Sequence, residues 1–462
     1  MTYAPNRTGN SIPAFLLPAS GVKVYAGPQQ LADIPQLRSL PADYRDAMQV
    51  VAQVLPFRVN QYVIDQLIDW DRVPEDPIFQ LVFPHPGMLP PEEHARLADL
   101  LKADAPKADV DALVHEIRGS LNPHPGGQRE ANVPRLDGEW LPGLQHKYRE
   151  TVLFFPAQGQ TCHSYCSFCF RWAQFVGGRE LRFAARDAEL LMHYLRLHGE
   201  VTDLLVTGGD PLVMKTKFLR DYLLPLTAPA FEHVQTIRIG TKALSFWPFR
   251  FLTDPDADDL LRLFEDLVRR GKHVSVMAHY NHWQELETPQ AREAVRRVRD
   301  TGAVIRSQGP VLRHVNDDPD VWSRLWRTQL RLGIQPYYLF VERDTGARAY
   351  FELPLADAVR IHRGALRRMS GLARTACGPV MSTYPGKVEV QGVAEVRGER
   401  VFVLRFRQAR DPDWVGRPFF ARFDPAATWL DQLRPAFGEK RFFFESPSKG
   451  GTDGAVGQPA AE

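Results

Sequence analysis

Val152-Leu153-Phe154-Phe155, a short loop, and then Thr161-Cys162-His163-Ser164-Tyr165-Cys166-Ser167-Phe168-Cys169 form the stretch on which the reading of this chain turns. An apolar β-type run leads into three cysteines spaced C-x3-C-x2-C. Three thiolates fall one short of the four-cysteine shell of an ordinary iron–sulfur cluster. A [4Fe-4S] cluster held by them keeps one iron open to bind and reduce a ligand, which suggests catalysis rather than electron storage. A structural zinc site wants four closed ligands, usually in two separated pairs. His163 could supply a fourth, but as the neighbour of Cys162 it fits a shared tetrahedral site poorly. A disulfide with a spare thiol is the remaining alternative.

Outward from this stretch the same unit recurs. Apolar runs at Val152–Phe155, Asp203–Thr207, Thr236–Gly240, Val274–Ala278, Val304–Ser307 and Tyr337–Val341 alternate with helical patterns. These patterns cover Ala184–Leu197, Lys215–Leu224, Asp256–Arg270, Pro289–Asp300 and Pro319–Leu332. Thr288 before Pro289 and Asp318 before Pro319 read as helix starts, and Gly271, Gly302 and Gly333 as helix stops. Six such units predict an α/β fold, a partial (β/α)6-type barrel of parallel strands with right-handed crossovers, spanning 146–385. Its active-site residues belong at the carboxyl ends of the strands, where the cysteine loop already sits. Residues 1–145 read as a helical N-terminal region without a chemical motif. Residues 386–446 read as a small antiparallel β region with turns at Gly392 and Gly398, and 447–462 as a disordered tail.

The bulk properties exclude more than they assert. Lys and Arg number 57 against 55 Asp and Glu, so no charge excess points to nucleic acid or a membrane surface. No apolar run approaches the ~18 residues needed to span a bilayer. The start, Met1-Thr2-Tyr3-Ala4-Pro5-Asn6-Arg7, lacks the plan of a secretory signal. Four cysteines, three of them clustered, fit a reducing interior, and a cytoplasmic enzyme is the expectation. Cys377 reads as a buried structural thiol.

C-x3-C-x2-C with an aromatic residue before the last cysteine resembles the radical S-adenosylmethionine (SAM) enzymes. That resemblance implies that Cys162, Cys166 and Cys169 hold the cluster and that its open iron binds SAM. Gly208-Gly209-Asp210, directly after the second run, resembles the glycine-rich segment that lines the SAM amino group, although a glycine pair alone is most often a turn.

The resemblance narrows through Leu204-Leu205-Val206-Thr207-Gly208-Gly209-Asp210-Pro211-Leu212, Ile237-Arg238-Ile239-Gly240-Thr241, His279-Tyr280-Asn281-His282, the run from Ser307 to Asp317, and Gln335-Pro336-Tyr337-Tyr338. In this order, over roughly residues 140–390, they look like the lysine 2,3-aminomutase family. The family implies SAM, a [4Fe-4S] cluster and pyridoxal 5'-phosphate (PLP), and transfer of an amino group from the α to the β carbon of an amino acid. By position, Arg171 matches the arginine that grips the substrate carboxylate. Gln308 matches a polar residue near SAM and PLP. His279 and His282 match positions beside SAM, with a buried structural histidine as the alternative. Lys387 in Tyr384-Pro385-Gly386-Lys387 matches the Schiff-base lysine, with fewer glycines around it than the family has.

Of two family arginines that hold the PLP phosphate, Lys147 keeps one charge and Thr151 drops the other. Phe168 replaces a histidine. Where lysine enzymes use two aspartates for the distal ammonium, this chain has Arg343, with Asp344 adjacent, and Thr383. An arginine there disfavours lysine and suits an acidic side chain, unless Arg343 points to solvent and Asp344 takes the role. The expected partners are an amino-acid-like small molecule and an electron donor such as flavodoxin or ferredoxin, with homo-oligomerisation left open. The rival expectations are a PLP-independent radical SAM enzyme and a non-catalytic iron–sulfur protein.

Overall fold

The structure, a computed structural model, describes residues 23–123, 132–177, 184–185 and 188–445. The expected tail at 447–462 and most of the proline-rich segment after Asn122 lie outside the described residues.

One eleven-stranded sheet organises the chain, and its strands lie side by side in sequence order. They are β1 (Leu144–Tyr148), β2 (Thr151–Phe154), β3 (Asp203–Val206), β4 (Thr236–Thr241), β5 (His273–His279), β6 (Val304–Val311), β7 (Ile334–Val341), β8 (Cys377–Ser382), β9 (Gly386–Val396), β10 (Glu399–Ala409) and β11 (Pro418–Arg422). Strands β2 to β8 are parallel, as repeated strand–helix units require. β1 and β9 to β11 join antiparallel at the two ends. The sheet curls without closing. Lys147 on β1 donates a hydrogen bond to the Thr383 carbonyl after β8, although β2 to β7 lie between them in the sheet.

The six expected strands are present, and β8 makes a seventh parallel strand. Gly378-Pro379 inside β8 reads as a strand breaker, which hides it. The expected turn at Gly392 is a bulge inside β9, where the register shifts between Val390 and Gly392. The turn at Arg397-Gly398 is real, both residues having positive φ (53° and 77°). The Thr288 and Asp318 side chains cap their helices by accepting from Ala291 N (3.1 Å) and Asp320 N (2.7 Å).

The N-terminal region contains helices Ala42–Val54, Pro77–Val82, Pro91–Lys102 and Lys107–Ser120 and a small ribbon of Val24–Ala26 with Arg58–Asn60. It has no core of its own. Val51, Phe79 and Ile117 join one apolar cluster with Val152, Leu204, Ile237, Val276 and Ile305 of the sheet. A second cluster, built on Met381, Val388, Phe402 and Phe419, lies under the antiparallel end. No helix of the described residues is long and apolar enough to cross a membrane.

Candidate active site

The cysteine loop follows β2 and is held by contacts from far along the chain. Tyr165 N donates to Arg58 O (2.8 Å) and Ser167 N to Leu81 O (2.8 Å). Asn60 Nδ2 donates to Ser164 Oγ (2.9 Å). All four cysteines are free. The three loop thiols lie within electrostatic reach of one another, and burial pushes all three up, Cys166 to about 12 and Cys169 to about 11. Such thiols give up their protons only to a cationic partner. Among the described residues no three His, Cys, Asp or Glu side chains are grouped to hold a metal ion. His163 stacks on Trp247, ring centroids 5.9 Å apart, with Nδ1 buried and unbonded. The loop thus offers no single-ion site, and what it presents is three soft sulfurs, the donor type that suits a multi-iron cluster with one iron left to another ligand.

Gly208-Gly209 follows β3. A Cβ on Gly208 would fall 2.6 Å from Gln160 Nε2, and one on Gly209 would fall 2.4 Å from Thr161 O. The close approach is thus to the strand of loop ahead of Cys162, tied by Gly209 N to Gly159 O (3.0 Å) and Asp210 N to Thr161 O (2.7 Å). The Asp210 carboxylate is consumed by the fold: it accepts from Leu212 N, Thr241 Oγ1 and Lys242 N.

Around the loop stand polar atoms that make no close hydrogen bond among the described residues. Arg171 Nη1, His279 Nε2, Asn281 Nδ2 and Arg343 Nε are buried without a hydrogen-bond partner, and such groups are costly unless a ligand meets them. Arg171 lies over the Phe155 ring at 4.3 Å, and burial lowers its guanidinium to about 10. His279 stacks on Phe168 (5.6 Å), and burial holds it neutral. His282 caps the next turn, accepting from Gln284 N (3.4 Å), and is also held neutral by burial, at about 3. Gln308, at a bulge of β6, is half-buried between Tyr338 and His279 of the neighbouring strands.

A second group is cationic. Lys387, the second residue of β9, is half-buried, 5.0 Å from the Tyr338 ring centroid and 5.9 Å from that of Tyr148. It has no ion pair or hydrogen bond among the described residues. Burial first, then Arg238, lower its ammonium to about 7, against a smaller opposing pull from Asp203. Lys147 falls further, to about 6, through burial and then Arg410, Arg343 and Lys387. Arg343 also acts on Arg171, so these cations lie within electrostatic reach of one another.

Arg343 is not turned to solvent. Its side chain keeps 24% of its exposure, 3.6 Å from Asp344. Thr383 spends its hydroxyl on Gly386 O (2.8 Å) and offers a carbonyl to Lys147. Thr151 Oγ1 donates to Asp203 (3.0 Å). Cys377 opens β8 half-buried rather than fully buried.

Sequence reasoning missed several of these residues. Arg410 donates from Nε to Tyr384 O (2.9 Å) and restores a second cation beside Lys147. Glu342, buried beside Arg343 and Cys169, is held protonated by burial. Lys242 pairs with the fully buried Glu285 (2.6 Å) within electrostatic reach of Cys166. Lys242 directly follows the quoted Ile237–Thr241 run and was the one within reach of motif reading.

No family model matches the chain. A protein of Aquifex aeolicus named "Putative L-lysine 2,3-aminomutase" is 32% identical over 410 residues, 88% of this chain and 96% of its own. The L-lysine 2,3-aminomutase of Fusobacterium nucleatum is 28% identical, over 50% of this chain and 51% of its own. The glutamate 2,3-aminomutase of Clostridioides difficile is 27% identical, over 46% and 47%. Among solved structures, a radical SAM methyltransferase from Sphaerobacter thermophilus aligns with a TM-score of 0.37 at 16% identity, over 52% of this chain and 68% of its own, too loosely to carry an argument. The near full-length match, together with the cysteine loop and the strand-end residues around it, shows that this chain belongs to the lysine 2,3-aminomutase family and is a radical SAM aminomutase-like enzyme.

Proposed function

We propose that Cys162, Cys166 and Cys169 hold a [4Fe-4S] cluster that binds SAM, that Lys387 carries PLP, and that the enzyme moves the α-amino group of an acidic amino acid to its β carbon. Bound there, the cluster with SAM would supply the radical that abstracts hydrogen, and PLP would activate the migrating nitrogen. A flavodoxin or ferredoxin is the class of donor that would supply the electron.

The residues divide the work. Lys387, lowered to about 7, presents a free amine near neutrality, which a carbonyl cofactor requires. Lys147 and Arg410 lie in mutual electrostatic reach and suit a phosphate dianion, whose arrival returns the proton that Lys147 has lost. Arg171 has an unbonded Nη1 for the α-carboxylate. His279 and Asn281, which interact with each other, stand on the cluster side, and the buried rings of Phe168, Phe155 and Tyr338 lie against His279, Arg171 and Lys387 respectively.

The observation that carries the substrate assignment is Arg343. Its buried Nε makes no hydrogen bond among the described residues and has only a loose 3.6 Å ion pair with Asp344, and its charge reaches both Arg171 and Lys147. A second cation there repels the ammonium of lysine and attracts a distal carboxylate. The test is incubation of the reconstituted enzyme with lysine, glutamate and aspartate, scoring β-amino acids. A product from an acidic substrate supports the assignment. Efficient β-lysine formation would refute it and give the ammonium-binding role to Asp344.

A further inference from the structure

Each residue between the cysteines that bonds outward does so to the N-terminal region or to a neighbouring strand end. Asn60, 1% exposed, is where these contacts converge. Its Nδ2 donates to Ser164 Oγ (2.9 Å), His163 O (3.4 Å) and Phe246 O (2.9 Å). Its backbone N also donates to Ser164 Oγ (3.1 Å), while its Oδ1 accepts from Val63 N (3.1 Å). On the far side of Cys166, Ser167 Oγ donates to Gln80 O (2.7 Å). The Phe246 carbonyl ends the short helix Ala243–Phe246, which follows directly on Lys242. In that helix Ser245 Oγ donates to Glu285, the partner of Lys242. Asn60 thus ties three pieces together: the Arg58–Asn60 ribbon strand, the cysteine loop, and the segment carrying Lys242.

We propose that Asn60 is a positioning residue of the catalytic centre, which through Ser164 and the Phe246 carbonyl fixes the cysteine loop against the Thr241–Phe246 segment and so places the open iron for SAM. The inference rests on the cluster and SAM reading above. It gives the N-terminal region, which carries no chemical motif, a part in the chemistry. Ser164 lies between two ligating cysteines, so a shift of its hydroxyl moves the loop that presents the sulfurs. Losing the bond leaves all three thiols in place but their frame loose. The cluster then still assembles, and its SAM-facing corner is displaced.

The experiment compares Asn60→Ala and Ser164→Ala with the unaltered full chain. Ser164→Ala removes one hydroxyl and keeps the test open if Asn60→Ala does not fold. In the apo-protein, amide hydrogen exchange at Tyr165 and Ser167 should rise about tenfold or more in both variants, Ser164→Ala losing two hydrogen bonds and Asn60→Ala the four of its side chain, with exchange in β3 to β6 unchanged. After reconstitution, iron and sulfide per chain should match the unaltered protein. Addition of SAM to the dithionite-reduced cluster should no longer shift the electron paramagnetic resonance signal as it does in the unaltered protein, and 5'-deoxyadenosine per cluster should fall about tenfold or more. Lower thermal stability with unchanged loop exchange and an unchanged SAM-dependent signal would make Asn60 an ordinary core residue and overturn the inference. If the unaltered protein assembles no four-iron cluster, the functional reading falls and the inference with it. If it does, and the variants match it, the inference alone falls.

Discussion

Lys387 should trap PLP at a pH where an ordinary lysine is inert. Its ammonium is lowered from 10.5 to about 7 by burial and by Arg238. At pH 8 a group titrating near 7 is about nine-tenths free amine, whereas one titrating near 10.5 is about 0.3% free. The fold therefore offers at most about 300-fold more reactive amine at this position than solvent would. The assay is borohydride reduction of the protein with PLP between pH 6 and 10, followed by peptide mass spectrometry. The adduct should sit on Lys387, rise with a midpoint near 7, and vanish in Lys387→Ala. The same burial sets a stability slope. The unfolded lysine keeps its proton up to about 10.5 while the folded one releases it near 7, so the cost of burial is fully present below pH 7 and is relieved as pH rises from 7 to 10.5. Lys387→Met should accordingly stabilise the protein more at pH 6 than at pH 9. An adduct on another lysine, or a midpoint near 10, would refute the reasoning.

Three further outcomes are expected. Arg171→Ala should raise the substrate KM by roughly 10- to 150-fold, the loss of a charged hydrogen bond worth about 1.5–3 kcal/mol, without comparable loss of SAM affinity; equal loss of both would count against the role. Arg343→Asp should shift the ratio of kcat/KM for glutamate over lysine toward lysine, and an unchanged ratio would place Arg343 outside the substrate pocket. PLP binding at pH 8 should take up a proton, because Lys147 is lowered to about 6 by burial and neighbouring cations and a phosphate dianion reverses that; calorimetry in buffers of different ionisation enthalpy reads it directly.

The sequence disclosed what depends on neighbours along the chain. The cysteine spacing, the apolar runs and the Thr288 and Asp318 caps are local signals, and each matches an element of the structure. The strand β8 stayed hidden because Gly378-Pro379 carries a breaker signal that pairing with β7 and β9 overrides. The glycine pair and Asp210 were legible as a site feature, yet the structure uses them to seat the loop before Cys162 and to cap the next turn. Asn60 and Arg410 gave no signal at all. Asn60 meets Ser164 across 104 residues and Phe246 across 186, and Arg410 reaches Tyr384 from the end of a different strand. Contacts of that kind exist only once segments distant in the chain have been paired or packed together.

The most direct test of the account is the fate of one hydrogen. Reconstituted enzyme is given SAM, reductant and glutamate deuterated at C3, and 5'-deoxyadenosine is isolated and weighed by mass spectrometry. The account predicts deuterium in its methyl group, together with β-glutamate in solution, and neither from deuterated lysine. Deuterium taken from lysine with release of β-lysine would contradict the acidic substrate, and unlabelled 5'-deoxyadenosine from every amino acid offered would contradict the aminomutase chemistry itself.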